Sequence, residues 1–400
     1  MQLNQAPQLD LTYCTNIHPA NGWPAVLTGL QQHVLDLKQR LAPDQAFGIG
    51  LRLSGQESHE LLEPITLADF QAWLTQHNLY VFTLNGFPYH PFHQQPVKDQ
   101  VHAPDWREPE RVAYTLRLIE ILAALLPNGM VGSISTSPLS YKPWFADLAA
   151  VPWELLNRHV LQVVAALVQL ERQRGIVIQL AFEPEPDGLL ETSSELIRYV
   201  GQLLDVGAVE LAARLDCSLL EAQNVIRRHV GACLDICHCA VAYEAPRQVI
   251  AAYQAAGISI AKVQLSSALQ VTLNDNRQAV AAALAPFSEA IYLHQVIQRN
   301  HDGSLQQYRD LPQALAAIDD PAACEWRIHF HVPIFTASFG LLNATQPALL
   351  ESLQALNEQP YSQHLEIETY TWDVLPSQLK LDLTESIARE YAWVLHELKR

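Results

Sequence analysis

The chain has 400 residues, 49% of them hydrophobic, with 25 Lys and Arg against 42 Asp and Glu for a formal net charge of −17. That apolar content excludes wholesale disorder, and so negative a surface repels phosphate backbones, so no nucleic-acid partner is expected. No stretch reaches the roughly 18 uninterrupted apolar residues of a membrane span, and the N-terminus lacks the basic and apolar regions of a signal peptide; the chain reads as cytoplasmic, without membrane insertion.

In chain order, β-rich runs fall at Leu11–His18, Phe47–Ser54, Leu79–Phe87, Met130–Ser137, Ile176–Glu183, Gly231–Cys237, Ile258–Ser266, Trp326–Ile334 and Leu365–Trp372. Helical stretches lie between them. The clearest is Glu108–Leu126, with Pro109 in its first turn, Val112, Leu116, Ile119 and Ala123 on one face, and Pro127-Asn-Gly129 as its stop. Trp153–Gln173 and Ser194–Leu204 behave similarly. Strands alternating with helices predict parallel pairing, and the expected fold is α/β: residues 1–400 as a single (β/α)8 TIM barrel. Nine runs are one too many for eight strands. Met130–Ser137 is the expected supernumerary, lying across the barrel. Two polar-alternating runs flank Asn300-His-Asp-Gly303, so 291–311 reads as an inserted β-hairpin, a lid or an arm for a homodimer. The six cysteines, at 14, 217, 233, 237, 239 and 324, do not form the two short knuckles of a structural zinc site. They are expected to be reduced.

Side chains alternate between strand faces, so parity separates the helix-facing set from the inward set. In Ile176–Glu183 the inward set is Val177, Gln179, Ala181 and Glu183; in Leu365–Trp372 it is Glu366, Glu368 and Tyr370. Trp326–Ile334 turns Arg327, His329 and His331 inward, and Ile258–Ser266 contributes Lys262, Gln264 and Ser266. Leu11–His18 groups Cys14, Asn16 and His18, and Leu79–Phe87 groups Thr83 with Asn85. The inward sets become polar toward the strands' C-terminal ends, where barrel enzymes place their chemistry, and buried polar groups need partners. Glu183, Asp235, Gln264 and Glu368 come from separate strands at similar depth and form an oxygen-only donor set, which favours Mn2+ or Mg2+. A nitrogen from His331 would shift the preference toward Mn2+ or Co2+, and Zn2+ also stays open. The competing expectation is a buried charge network of these acids with Lys262, Arg52 and Arg327.

Glu183-Pro184, the turn Leu234-Asp235-Ile-Cys-His238, Gln264 and Glu368 resemble the metal-site pattern of xylose-isomerase-like TIM barrels. Further strings resemble the narrower EboE-like "metabolite traffic" family: Thr12-Tyr-Cys-Thr-Asn-Ile-His18-Pro, Leu84-Asn-Gly-Phe-Pro88-Tyr, Gly132-Ser-Ile-Ser-Thr136, Val263-Gln-Leu-Ser-Ser267-Ala, His329-Phe-His331-Val-Pro and Glu366-Ile-Glu-Thr-Tyr-Thr-Trp372. The resemblance implies a divalent ion and a cyclitol or sugar-derived metabolite as the small-molecule partner. The expected activity is metal-dependent isomerisation or epimerisation of a sugar or keto-cyclitol by α-proton transfer through an enediolate. Glu183 and Glu368 would move the proton, and His238 would stabilise the enediolate. Asn16, His18, Asn85, Lys262, His329 and His331 would line the pocket. The alternative is a non-catalytic metabolite-binding carrier or scaffold of a biosynthetic and transport cluster. A phosphoesterase or nuclease on the same fold fits poorly with the charge.

Overall fold

A computed structural model describes residues 1–3, 8–91, 96–372, 375 and 382–398. Strands β1 (Leu9–Tyr13), β2 (Phe47–Arg52), β3 (Leu79–Asn85), β4 (Val131–Thr136), β5 (Val177–Phe182), β6 (Val230–Asp235) and β7 (Ser259–Leu265) alternate with helices. After β7 come β8 (Ala268–Thr272), β9 (Val296–Asn300), β10 (Leu305–Tyr308), β11 (Ala323–His331), β12 (Ser338–Phe339), β13 (Leu342–Ala344) and β14 (His364–Ile367). The main sheet runs β1-β14-β7-β6-β5-β4-β3-β2, and all seven of those ladders are parallel. A bridge from Cys14 to Gly50 brings β1 and β2 together. Thr12 Oγ1, which accepts from Gly50 N and donates to Gly48 O, and Thr15 Oγ1, which accepts from Arg52 N, secure the seam. The chain is therefore an eight-stranded (β/α)8 barrel.

Two expectations are corrected. Met130–Ser137 is a barrel strand, β4, laddered between β3 and β5. The supernumerary run is Trp326–Ile334, which belongs to a second sheet ordered β10-β9-β11-β8-β13-β12, antiparallel throughout. Its parity reading holds: Ile328, Phe330 and Val332 are buried in the apolar core. An inward face of Arg and His looked like barrel lumen because His329 and His331 do face the site, although from a sheet beside it, while Arg327 turns to Glu325. The hairpin expected near 291–311 is β9–β10, pairing Val296 with Tyr308 and Arg299 with Leu305, and β9 joins it to β11.

The helices follow their local sequence. Pro109–Leu125 starts on Pro at its first position, where no backbone donor is lost. Trp153–Arg174 stops at Gly175, whose φ of 67 is the left-handed conformation that glycine adopts freely. Ser193–Gln202 opens on a capping box of Thr192 and Glu195. Ile178, Leu180 and Phe182 of β5 pack outward, while Ala181, Cys233 and Ala261 fill a narrow interior layer. All six cysteines are free thiols, four of them buried.

Candidate metal centre

Register places the carboxylates. Asp235 pairs with Gln264 across β6 and β7, and Gln264 with Glu366 across β7 and β14, so all three side chains turn to the inward face of the sheet. Glu183 directly follows β5, its N–H bonded to Thr136 O, and Glu368 directly follows β14, its N–H bonded to Leu265 O. Oxygen atoms of Glu183, Asp235 and Glu368 lie within 4.8 Å of one another, all three residues being buried. Glu183 Oε2, Asp235 Oδ2 and both polar atoms of the Gln264 side chain have no hydrogen-bond partner among the described residues. The other Asp235 oxygen accepts from His238 N at 2.9 Å and Ser266 Oγ at 2.8 Å, which fixes the carboxylate. Two amides, Asn16 Nδ2 at 2.8 Å and Asn85 Nδ2 at 3.0 Å, both donate to Glu368 Oε1.

Such crowding has electrostatic consequences. Burial, with Asp235 beside it, pushes the Glu183 carboxyl up to about 7. Glu368 is held well above the ordinary carboxylate range by burial and by Glu183, Asp235 and Glu366. Burial pulls His238 down, yet Asp235, Glu185 and Glu183 outweigh it and leave the imidazole above its ordinary value. His329 and His331 are lowered, chiefly by burial.

Three imidazoles adjoin the carboxylates. His238 Nδ1 faces Pro184 O at 2.9 Å and His331 Nδ1 faces the Glu368 backbone O at 2.6 Å. Carbonyls only accept, so both Nδ1 atoms carry the hydrogen. Gln295 donates to Pro186 O, which leaves its Oε1 to accept from His329 Nδ1 at 2.8 Å. The Nε2 atoms of His238 and His329 then meet at 3.1 Å, and that of His331 has no partner. Asp235, His238 and His331 also bring ligand atoms within 4.8 Å of one another.

A cleft of about 600 Å3, part of it open solvent, reaches this cluster. Of the site residues expected from sequence, Asn16, Asn85, Glu183, His238, His329, His331 and Glu368 line it. Asp235 and Gln264 are buried beneath with oxygens unpaired. Two expected pocket residues lie elsewhere. Lys262 is sealed inside the barrel and closes an ion pair with Glu366 at 2.6 Å. His18 meets the Tyr13 hydroxyl at 2.7 Å, stacks on His33 at 4.3 Å and borders a separate small hollow with Arg52 and Glu57. The expected charge network is also only partial: Arg52 lies 3.7 Å from Glu57, and Arg327 pairs with Glu325 and donates to Ala240 O.

Sequence reasoning missed part of the lining. Glu185 Oε1 lies 2.9 Å from His102 Nε2, and both line the cleft with Lys98, Tyr292, Gln295 and Tyr370. The spacing Glu183-Pro-Glu185 was the one available signal. His102 and Lys98 lie on a short 3-10 turn, Lys98–His102, where no periodicity marks a residue.

No protein-family model matches the sequence, and no curated protein matches it either. Solved structures similar to the chain over nearly its whole length include the IolI protein with a bound zinc atom, at 14% identity and a TM-score of 0.49, covering 98% of both chains. A xylose isomerase-like TIM barrel protein from Mycobacterium smegmatis in complex with magnesium is 11% identical with a TM-score of 0.49, over 99% of this chain and 98% of that one. A xylose isomerase domain protein from Planctomyces limnophilus is 12% identical with a TM-score of 0.48, over 91% of this chain and 92% of that one.

Proposed function

We propose that the chain is a metal-dependent isomerase or epimerase that moves an α-proton of a polyhydroxy carbonyl compound, a ketose or keto-cyclitol, through an enediolate. The observation that carries the reading is the convergence of three buried carboxylates with oxygens within 4.8 Å of one another, Glu183 and Asp235 each keeping one oxygen without a hydrogen-bond partner among the described residues, while Lys262 spends its ammonium on Glu366. Buried acids packed this way are costly unless a cation joins them. The donor set fits one: Glu183, Asp235, Gln264 and Glu368 would hold a divalent ion through oxygen, as Mn2+ and Mg2+ prefer, and His331 would add a nitrogen that favours Mn2+ or Co2+. Bound there, such an ion supplies polarisation of the substrate carbonyl, which acidifies the neighbouring C–H.

The chain's own residues do the rest. Glu183 and Glu368 line the cleft; one removes the α-proton and the other returns it to the far face or the adjacent carbon. Asn16 and Asn85 fix Glu368 through Oε1, so its second oxygen is aimed rather than swinging. His238, oriented by Pro184 O, lines the cleft, and in its protonated form the Nε2–H that faces His329 Nε2 at 3.1 Å would be shared with the oxygen that gains charge in the enediolate. The narrower EboE-like assignment belongs to this proposal and rests on the sequence strings alone.

Metal content of the purified protein tests the reading first. About one ion per chain is expected in the wild type and much less in Glu183→Gln and Asp235→Asn. Exchange of substrate α-hydrogen with solvent deuterium should follow the ion and vanish in Glu183→Gln. Absence of metal uptake even from excess Mn2+ would refute it and leave a metabolite carrier.

A further inference from the structure

The charge inventory of the cleft says what kind of molecule fits it. Glu183, Glu185 and Glu368 line it and Asp235 lies just beneath, whereas Lys98 is the one lysine or arginine among the described lining residues. Lys98 is already engaged, with Nζ at 2.8 Å from Asp310 Oδ2 and 3.4 Å from Glu289 O. Asp310 is itself fixed, its other oxygen accepting from His294 N and Leu311 N. The arginines behind the wall brace it. Arg52 donates to the carbonyls of Pro88 and His90, and Arg111 to those of Pro104, Gly86 and Phe87.

Three helix N-termini above the strands, where barrels commonly hold phosphate, are filled by the chain's own acids. Glu57 completes the cap of Gly55–Leu62, Glu195 that of Ser193–Gln202, and Asp235 caps Ile236–Val241. A divalent ion would not reverse the balance, since two positive charges face four carboxylates. The other wall is apolar and aromatic: Phe87, Val97, Val101, Tyr292, Leu293 and Tyr370.

We propose that the cleft selects an uncharged polyhydroxy compound, its C–H face against the apolar wall and its hydroxyls toward the acids, and rejects the corresponding phosphate esters. The inference rests on the isomerase reading for the polyhydroxy carbonyl class and on the lining alone for the charge.

Calorimetric titration of the full Mn2+-equilibrated chain tests it with matched pairs: D-fructose and D-tagatose against their 6-phosphates, and myo-inositol against myo-inositol monophosphate. At least one neutral probe should bind, and its ester should bind about tenfold or more weakly, because like charges facing each other are penalised. Asp310→Asn keeps a competent helix cap but releases Lys98, and should narrow that gap roughly threefold or more. A purely structural role for Asp310 would weaken both members of a pair equally. An ester that binds as well as its parent, or a panel with no neutral binder, overturns the inference. Deuterium exchange recorded in parallel keeps the two readings apart. Neutral binding without exchange removes the isomerase and leaves the substrate class; exchange with preference for an ester does the reverse.

Discussion

Glu366 and Glu368 stand two residues apart, both inward and both buried, and they live in different chemistry. At the level of Glu366 the lumen is closed: its carboxylate pairs with Lys262, and Thr83, Ser133 and His364 form a hydrogen-bonded chain. Gly50 belongs to this layer, since a Cβ there would come within 1.9 Å of Glu366 Oε1. One step up, Glu368 meets Glu183 and Asp235, where His238, 3.8 Å from Asp235, stands in place of a lysine or arginine partner among the described residues. Residue type, strand and facing are the same, so what distinguishes scaffold from site is the partner each carboxylate is given.

Lys262→Met breaks the closed layer and should have the largest effect on stability. It strands a buried carboxylate, and loss of one member of such a pair costs about 3–5 kcal/mol. Urea unfolding of chelator-treated protein measures this, while metal stoichiometry in the folded variant should stay at the wild-type value. If the variant lost its metal at unchanged stability, the two layers would not be separate.

Glu183→Gln and Asp235→Asn test the open layer from the opposite side. Each would remove a proposed ligand, so ion affinity should fall by more than about 100-fold, beyond what is usual for an outer partner. In chelator, however, neither should destabilise as Lys262→Met does, because relief of repulsion among the acids offsets the lost hydrogen bonds. A metal titration and an unfolding curve on the same sample decide the point. A large loss of apo stability would show these carboxylates to be scaffold.

This division explains how far the sequence could be read. Parity put Glu183, Gln264 and Glu368 on the inward face from strand alternation alone, a local property of the chain, and Asp235 joined them from its place near the end of its own strand. It put Lys262 and His18 with them for the same reason, and there it could not help. Whether an inward lysine faces cleft or lumen depends on depth and on a partner more than a hundred residues away. Strand count failed on a similar point: the small residues of Gly132-Ser-Ile-Ser135 look like a weak strand until Thr83 and His364 are seen filling the space beside them. Trp326–Ile334 has the composition of a barrel strand, but its neighbours β8 and β9 are antiparallel, which only register reveals. Residues on turns, such as Lys98 and His102, carry no period at all.

A pH titration of stability probes the closed layer without mutation. Burial, aided by the Lys262 charge, pulls His364 down to about 3. The unfolded chain binds that proton near pH 6.5 and the folded chain does not, so this residue's contribution is intact above 6.5 and declines as pH falls toward 3. At pH 5 the loss from this group is about 2 kcal/mol. His364→Gln should flatten this part of the profile. An unchanged slope would mean that other groups carry the acid sensitivity of the closed layer.

Asn16→Ala should give the smallest of these effects and the one that grades the open layer most finely. Asn16 and Asn85 both donate to Glu368 Oε1, so either one removed leaves the other in place. The expected cost is about 1 kcal/mol, or roughly fivefold in ion affinity, with little change in apo stability. The double variant should lose more than the sum of the singles, because only then is the carboxylate free to rotate. Strict additivity would mean that the amides act separately, each as an ordinary hydrogen bond, and that something else aims Glu368 at its neighbours.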